Sequence, residues 1–225
     1  MKKKSGYSLS DQAYTIIKQR IVERQFKPGT KLDLAAIEAE LQVSRMPILD
    51  ALTRLEHEGL VTIRNRVGTF VAPLGITVYE ELFEMRIMIE QWVTPMIILH
   101  ISNHDVAQLR ALLDATQQML NDVTEQTFDY RSFTRCDEEF HLSLIRLCRN
   151  SHLINAYTAL NMHIHTARVY SLRALTRSRE GQAEHEAILA AFAARNVEQA
   201  RQTQLYHAER SRQGALALLQ AHGEL

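Results

Sequence analysis

Apolar residues follow two different rhythms along this chain. Up to about Pro73 they form short clusters separated by turn signals, and beyond it they recur at helical spacing almost without interruption. In the first part Ala13, Ile16, Ile17 and Ile21 mark one face of a helix, which the Pro28-Gly29 pair in "FKPGTKL" stops. Leu34, Ile37 and Leu41 predict a second, short helix with Asp33 placed as its cap. After the turn at "QVS" a third helix begins abruptly, with Ser44 placed to cap it. Pro47 is tolerated in its first turn, because amides there have no acceptor within the helix. Ile48, Leu52 and Leu55 share its inward face, which turns Arg45, Leu49 and Thr53 outward with Met46 and Asp50 flanking them. Past Gly59 the period becomes that of strands, and "LVTIR" and "TFVA" joined by "NRVG" predict a hairpin.

Two helices separated by a tight turn and followed by a basic-tipped hairpin describe a winged helix-turn-helix, which places its second helix in the DNA major groove. The remainder reads as helices over residues 78–101, 105–123, 129–149, 152–175, 178–195 and 197–221, an all-α bundle. Pro95 lies inside the first of these, lacks an amide donor and crowds the Gln91 carbonyl, so a kink is expected. The expected fold is mainly α: a winged helix-turn-helix with a small β-hairpin wing over residues 1–73, then a helical bundle over residues 77–225.

Composition narrows the class. A chain of 225 residues with 46% hydrophobic and 23% charged content is globular and has room for one or two domains. Its most apolar window contains Glu84, Arg86 and Glu90, and "MKKK" is followed by polar residues rather than a secretory core. A soluble, cytoplasmic protein with no membrane partner is expected. The net charge of zero hides an uneven distribution of +4 through Pro73 and −4 after it. All six lysines lie in the first 31 residues, and nine of the ten histidines lie after Leu74. A basic N-terminal module and a histidine-bearing C-terminal one therefore face different partners. Cys136 and Cys148 fall in one predicted helix about 18 Å apart, too far for a disulfide, and are expected as reduced, buried thiols.

Taken in order, "FKPGTKL", "VSRMPILDALTRLEHEGLV" and "NRVGTFV" resemble the DNA-binding domain of GntR-type bacterial transcription regulators. The resemblance implies a double-stranded DNA operator as partner. It implies contacts from Ser44, Arg45, the outward positions Met46, Leu49 and Thr53, and the hairpin tip at Arg66 and Gly68. Two positions depart from the pattern: Leu49 stands where the family usually has Arg, and Met46 where it has a small polar residue. An apolar side chain there could touch a thymine methyl instead. Gln42 occupies a turn position that commonly holds Gly.

Metal-type chemistry gathers in the second part. In "CDEEFHLSL" Asp137 and His141 are four apart, a carboxylate and an imidazole on one helical face. His185 and His207 are equally distant from Asn196, a plausible cap for the last helix. Antiparallel helices joined there would bring both imidazoles to one height, so that four ligand-type residues could converge. Asp-x-x-x-His followed by "EHEAIL" and a final His resembles the all-helical FCD effector domain of the FadR subfamily. The resemblance implies a divalent transition metal, zinc foremost, held by Asp137, His141, His185 and His207, with a small carboxylate beside it. Arg86 of "MRIMIE" matches a characteristic Arg of that domain's first helix and is the candidate clamp for the carboxylate. An ordinary i,i+4 ion pair between Arg86 and Glu90 is the competing reading of that residue. His163 mirrors Asp137 about the Asn150 turn and is a rival ligand, whereas His165 would point to the opposite side; Arg168 and Tyr170 are unoriented.

The chain is expected to be a homodimeric, effector-responsive DNA-binding transcription regulator and not an enzyme. The alternative is a metal-dependent hydrolase carrying a DNA-binding module, with Glu138, Glu139 or Glu186 as base, although no compact His-Glu-x-x-His motif occurs. A metal-stapled interaction scaffold is the third reading.

Overall fold

The computed structural model describes residues 8–73, 75–171 and 174–222, which divide into two compact units meeting in sequence just before Gly75. In the first unit α1 (Leu9–Val22) opens with a reciprocal cap. The Ser8 hydroxyl accepts from the Asp11 amide at 3.1 Å, and the Asp11 carboxylate accepts from the Ser8 amide at 3.2 Å. Ala13, Ile17 and Ile21 are buried and pack on α3 (Arg45–His57), which contributes Ile48, Ala51, Leu52 and Leu55. Burial of each such Ile or Leu is worth about 1.5–3 kcal/mol, so this face decides how the unit is assembled. The helix ends earlier than the Pro28-Gly29 stop: Arg24 takes φ 60 and turns the chain, and Gly29 then docks its amide on the Val71 carbonyl at 2.9 Å.

Asp33 caps α2 (Leu34–Leu41), accepting from the Ala35 and Ala36 amides at 3.0 and 3.1 Å. The helix closes on Gln42 at φ 53 and ψ 38, left-handed backbone that costs a side-chain-bearing residue about 1–2 kcal/mol. Ser44 stands at the cap position of α3 with extended backbone but makes no side-chain capping bond, contrary to expectation. The start of α3 rests instead on Pro47 in its first turn and on the burial of Ile48. β1 (Val61–Arg64) and β2 (Gly68–Val71) pair antiparallel from Val61↔Val71 to Arg64↔Gly68. Lys31 bridges to Phe70, and the Leu32 amide donates to the Thr69 carbonyl at 2.8 Å, so this segment covers one edge of the hairpin.

The second unit is helical, with no strand among the described residues: α4 (Ile76–His100), α5 (Asn103–Gln118), α6 (Tyr130–Arg146), α7 (Ser151–Ser171), α8 (Leu175–Ala193) and α9 (Val197–His222). Pro95 leaves the Gln91 carbonyl without its helical donor, and Arg201 Nε from α9 fills that place at 3.3 Å. Gln91 Nε2 donates back to the Arg201 carbonyl at 3.0 Å, which ties α4 to α9 at this point. α5 ends at Gln118, short of the expected residue 123, and the chain enters a turn in which Thr124 accepts from Thr127. Leu120, Phe128, Phe133 and Leu175 form a buried cluster here. The Glu125 carboxylate accepts from the Leu175 amide at 3.1 Å, so α8 starts three residues before Ser178, where the sequence placed it. Asn196 does cap α9, accepting from the Gln199 amide at 3.1 Å. Both cysteines are free; Cys148 is buried as expected, but Cys136 is partly exposed. No described helix is long and apolar enough to cross a membrane.

Candidate metal centre and nucleic-acid interface

In α6 the apolar face that buries Phe133, Phe140 and Leu144 also carries Asp137 and His141 inward, because i+4 spacing stacks them on one stripe. In α8, Ser178, Gln182, His185 and Leu189 follow the same rule. α9 packs against α8 across the Asn196 turn and brings His207 in beside Ala208. Asp137, His141, His185 and His207 are only 4%, 4%, 1% and 2% exposed, and one ligand-type atom from each lies within 4.8 Å of the others. His141 Nε2 is 3.1 Å from both His185 Nε2 and His207 Nε2, and His185 Nε2 is 3.4 Å from Asp137 Oδ1.

The donor set fits a transition ion. With metal–nitrogen distances of about 2.0–2.1 Å, neighbouring ligand atoms lie about 2.9 Å apart at right angles and about 3.4 Å apart in a tetrahedron, which brackets the three short separations, while the whole set stays within 4.8 Å. His207 Nδ1 stands 2.7 Å from Glu184 Oε2, which assigns the Nδ1–H tautomer and leaves the Nε2 lone pair facing the other imidazoles. One proton on His141 Nε2 cannot serve both neighbours; a cation at the shared point would accept every lone pair at once.

Arg86 enters the same centre from α4. It is fully buried, its Nε donates to Glu90 Oε1 at 2.8 Å, and the Tyr157 hydroxyl donates to that same oxygen at 2.5 Å. Its Nη2 lies 3.4 and 3.3 Å from the two ring nitrogens of His141, and its Nη1 is buried with no partner among the described residues. Burial opposes the charge, but the Glu90 carboxylate, with Tyr157 and Asp137, outweighs it and holds Arg86 above the ordinary arginine range. The i,i+4 ion pair with Glu90 is therefore present, made by one edge of the guanidinium, while Nη2 faces His141.

Sequence reasoning missed Glu184 and Arg177. The Glu184 side chain is 8% exposed, and both its oxygens are held by Arg177, at 2.9 and 3.0 Å. The signal was available, since Glu184 precedes Asn196 by nearly the number of residues by which His207 follows it. The nominated bases are engaged elsewhere: Glu138 with Asn161 at 3.4 Å, Glu139 with Arg146 at 2.6 Å, and Glu186 with Arg110. The side chains of His163, His165, Arg168 and Tyr170 lie outside the described residues.

In the first unit Ser44, Arg45, Met46, Thr53 and Arg66 are exposed, and Leu49 and Gly68 are partly buried. Arg45, Leu49, Arg66 and Gly68 line one groove of about 720 Å³ between the start of α3 and the hairpin. Lys31 and Arg64, two cations that sequence reasoning passed over, line it too. The Thr53 hydroxyl is turned back onto the Leu49 carbonyl at 3.0 Å. Gly68 holds φ 138, a conformation that a side chain disfavours, so the hairpin requires glycine where it closes.

Comparison with known proteins places both units. Residues 9–71 match the family model for bacterial regulatory proteins of the gntR family, and residues 81–210 match the FCD domain. The HTH-type transcriptional regulator YdhC of Bacillus subtilis is 28% identical over 196 residues, covering 87% of this chain and 86% of that protein. The Nta operon transcriptional regulator of Aminobacter aminovorans is 29% identical over 147 residues, 65% of this chain and 67% of that one. Among solved structures, Escherichia coli McbR/YncC superposes with a TM-score of 0.80 at 21% identity, covering 96% of this chain and all (100%) of that one, a likeness of fold.

Proposed function

We propose a function from one premise: the chain belongs to the gntR family of bacterial regulatory proteins and carries an FCD domain. It is a DNA-binding transcriptional regulator of that type. Beyond this, we infer that a small carboxylate bound beside a divalent metal, zinc foremost, controls its affinity for an operator that it reads as a homodimer. The observation that carries the reading is the Nη1 of fully buried Arg86, which has no partner among the described residues and is set beside a converging Asp-His-His-His cluster. A buried guanidinium arm without an acceptor is costly, and a carboxylate supplies the acceptor in the geometry that suits it. Asp137, His141, His185 and His207 would hold the metal, which when bound would attract a carboxylate oxygen as a Lewis acid. Arg86 would bind the carboxylate from the α4 side while keeping its pair with Glu90.

Ser44, Arg45, Met46, Leu49, Thr53, Arg66 and Gly68 are assigned to the DNA side. A second copy is assigned to the exposed face of α4, where Val78, Met85, Met88, Trp92 and Leu99 recur at the spacing of a helix-pairing seam. Selection of bound duplexes from random DNA should then recover near-palindromic sites whose halves lie about one helical turn apart. Arg45→Ala should weaken binding to the selected duplex by about 1–3 kcal/mol at matched salt. Single, unpaired half-sites would count against the dimer, and undiminished binding would remove Arg45 from the interface.

Effector control has its own test. Titrating a panel of mono- and dicarboxylates with and without operator duplex should reveal one acid whose affinity changes, and operator affinity must change by the same factor. Arg86→Lys keeps a cation opposite Glu90 but loses the guanidinium fork, so it should keep metal and DNA binding and lose the response. Equal affinity for the acid in both titrations would mean that the pocket binds without signalling.

A further inference from the structure

We infer that Glu184, locked in place by Arg177, is the positioning residue of the metal centre; this rests on the metal reading proposed above. Four contacts carry it. Glu184 Oε2 receives the Nδ1–H of His207 at 2.7 Å, while Arg177 donates to both carboxylate oxygens at 2.9 and 3.0 Å. Arg210 Nε closes the far side at 3.9 Å from Glu184 Oε1. A carboxylate that accepts from the outer nitrogen of an imidazole fixes its tautomer, aims the inner lone pair and raises its basicity. Held by one bond only, such a carboxylate could rotate; a bidentate guanidinium fixes its plane and thereby the plane of the imidazole.

Burial distinguishes this pair from the ordinary ion pairs of the same two helices. Arg210 and Glu180, 2.8 Å apart, have side chains 42% and 45% exposed, where a pair contributes little. The Arg177 and Glu184 side chains are 15% and 8% exposed, and His207 is 2% exposed. A carboxylate taken that far from water needs its full complement of donors, and one of those donors here is a candidate ligand. The arrangement therefore orients His207 before any ion arrives.

The test is metal affinity in the full chain, measured by competition with Zn²⁺ and by the visible spectrum of the Co²⁺-loaded protein. All measurements are made well below each variant's melting temperature, so that stability does not enter. Glu184→Gln should weaken metal binding about 10–100-fold and alter the Co²⁺ bands, because the amide keeps the shape but loses the charge and half of the fork. Arg177→Gln, which leaves every ligand and Glu184 itself in place, should move both readouts in the same direction by less. Affinities within about twofold of the parent with an unchanged Co²⁺ spectrum in both variants would overturn the inference, even if either variant melts lower. The parent reading fails differently. If the unmodified chain holds no metal there is no centre to position, whereas metal lost in His207→Ala but retained in full by both variants removes only the role of Glu184.

Discussion

Arg86→Ala is expected to destabilise the helical unit by about 3–5 kcal/mol, the cost of stranding the other member of a buried ion pair. The Arg86 side chain is fully buried and that of Glu90 is 3% exposed, 2.8 Å apart. Without the guanidinium, the Glu90 carboxylate keeps the Tyr157 hydroxyl but loses its counter-charge in a medium that solvates it poorly. Removing both charges in Arg86→Met/Glu90→Gln should cost less than Arg86→Ala, because no uncompensated ion remains. The chain has one tryptophan, Trp92 on α4, so its fluorescence in a urea titration reports this unit. With chelator present throughout, a loss below about 1 kcal/mol would show that water reaches the pair and would overturn this expectation. The same reasoning makes Arg86→Lys, rather than Arg86→Ala, the variant that isolates effector recognition from folding.

The second large effect is expected from chelation, if Asp137, His141, His185 and His207 hold a metal as proposed above. At free ion about a thousandfold above its dissociation constant, binding stabilises the folded state by about 4 kcal/mol. For a chain of this size each kcal/mol moves the melting temperature by about 2–4 °C, so chelation should lower it on the order of 10 °C. His185→Ala and His207→Ala should each abolish most of that difference, since each removes one ligand from a buried set of four. Calorimetry with and without chelator, together with metal content by elemental analysis, checks both statements. A chain that melts identically with and without chelator, or full metal content in both variants, would refute the ligand assignment.

Much of this site was legible as spacing. The four-residue step from Asp137 to His141 and the symmetric placing of His185 and His207 about Asn196 are statements about height on helices, and all four side chains do meet. The same arithmetic applied to Glu184 would have found the partner of His207. Spacing also gave the Arg86–Glu90 pair, but not the second contact of Arg86, because His141 lies 55 residues away and on another helix. Nor could it foresee that Arg201 would take up the carbonyl freed by Pro95, or that Glu125 would start α8 early. Ser44 failed as a cap despite standing in the right place, because cap geometry depends on a hydroxyl rotamer that sequence does not specify.

The sequence by itself determined that these helices and the hairpin form, their order and the height of each candidate ligand, though not every helix end. These follow from hydrogen bonds between near neighbours and from a hydrophobic period of 3.6 or 2 residues, both of which are local. Only the tertiary structure decided which polar atoms became partners: Arg86 shared between Glu90 and His141, Glu184 between Arg177 and His207, and Lys31 and Arg64 drawn into one groove with Leu49. Such choices depend on how helices rotate and close against each other. Burial of a charge makes each of them matter, because in a low dielectric a polar atom must find its partner or wait for a ligand to supply one.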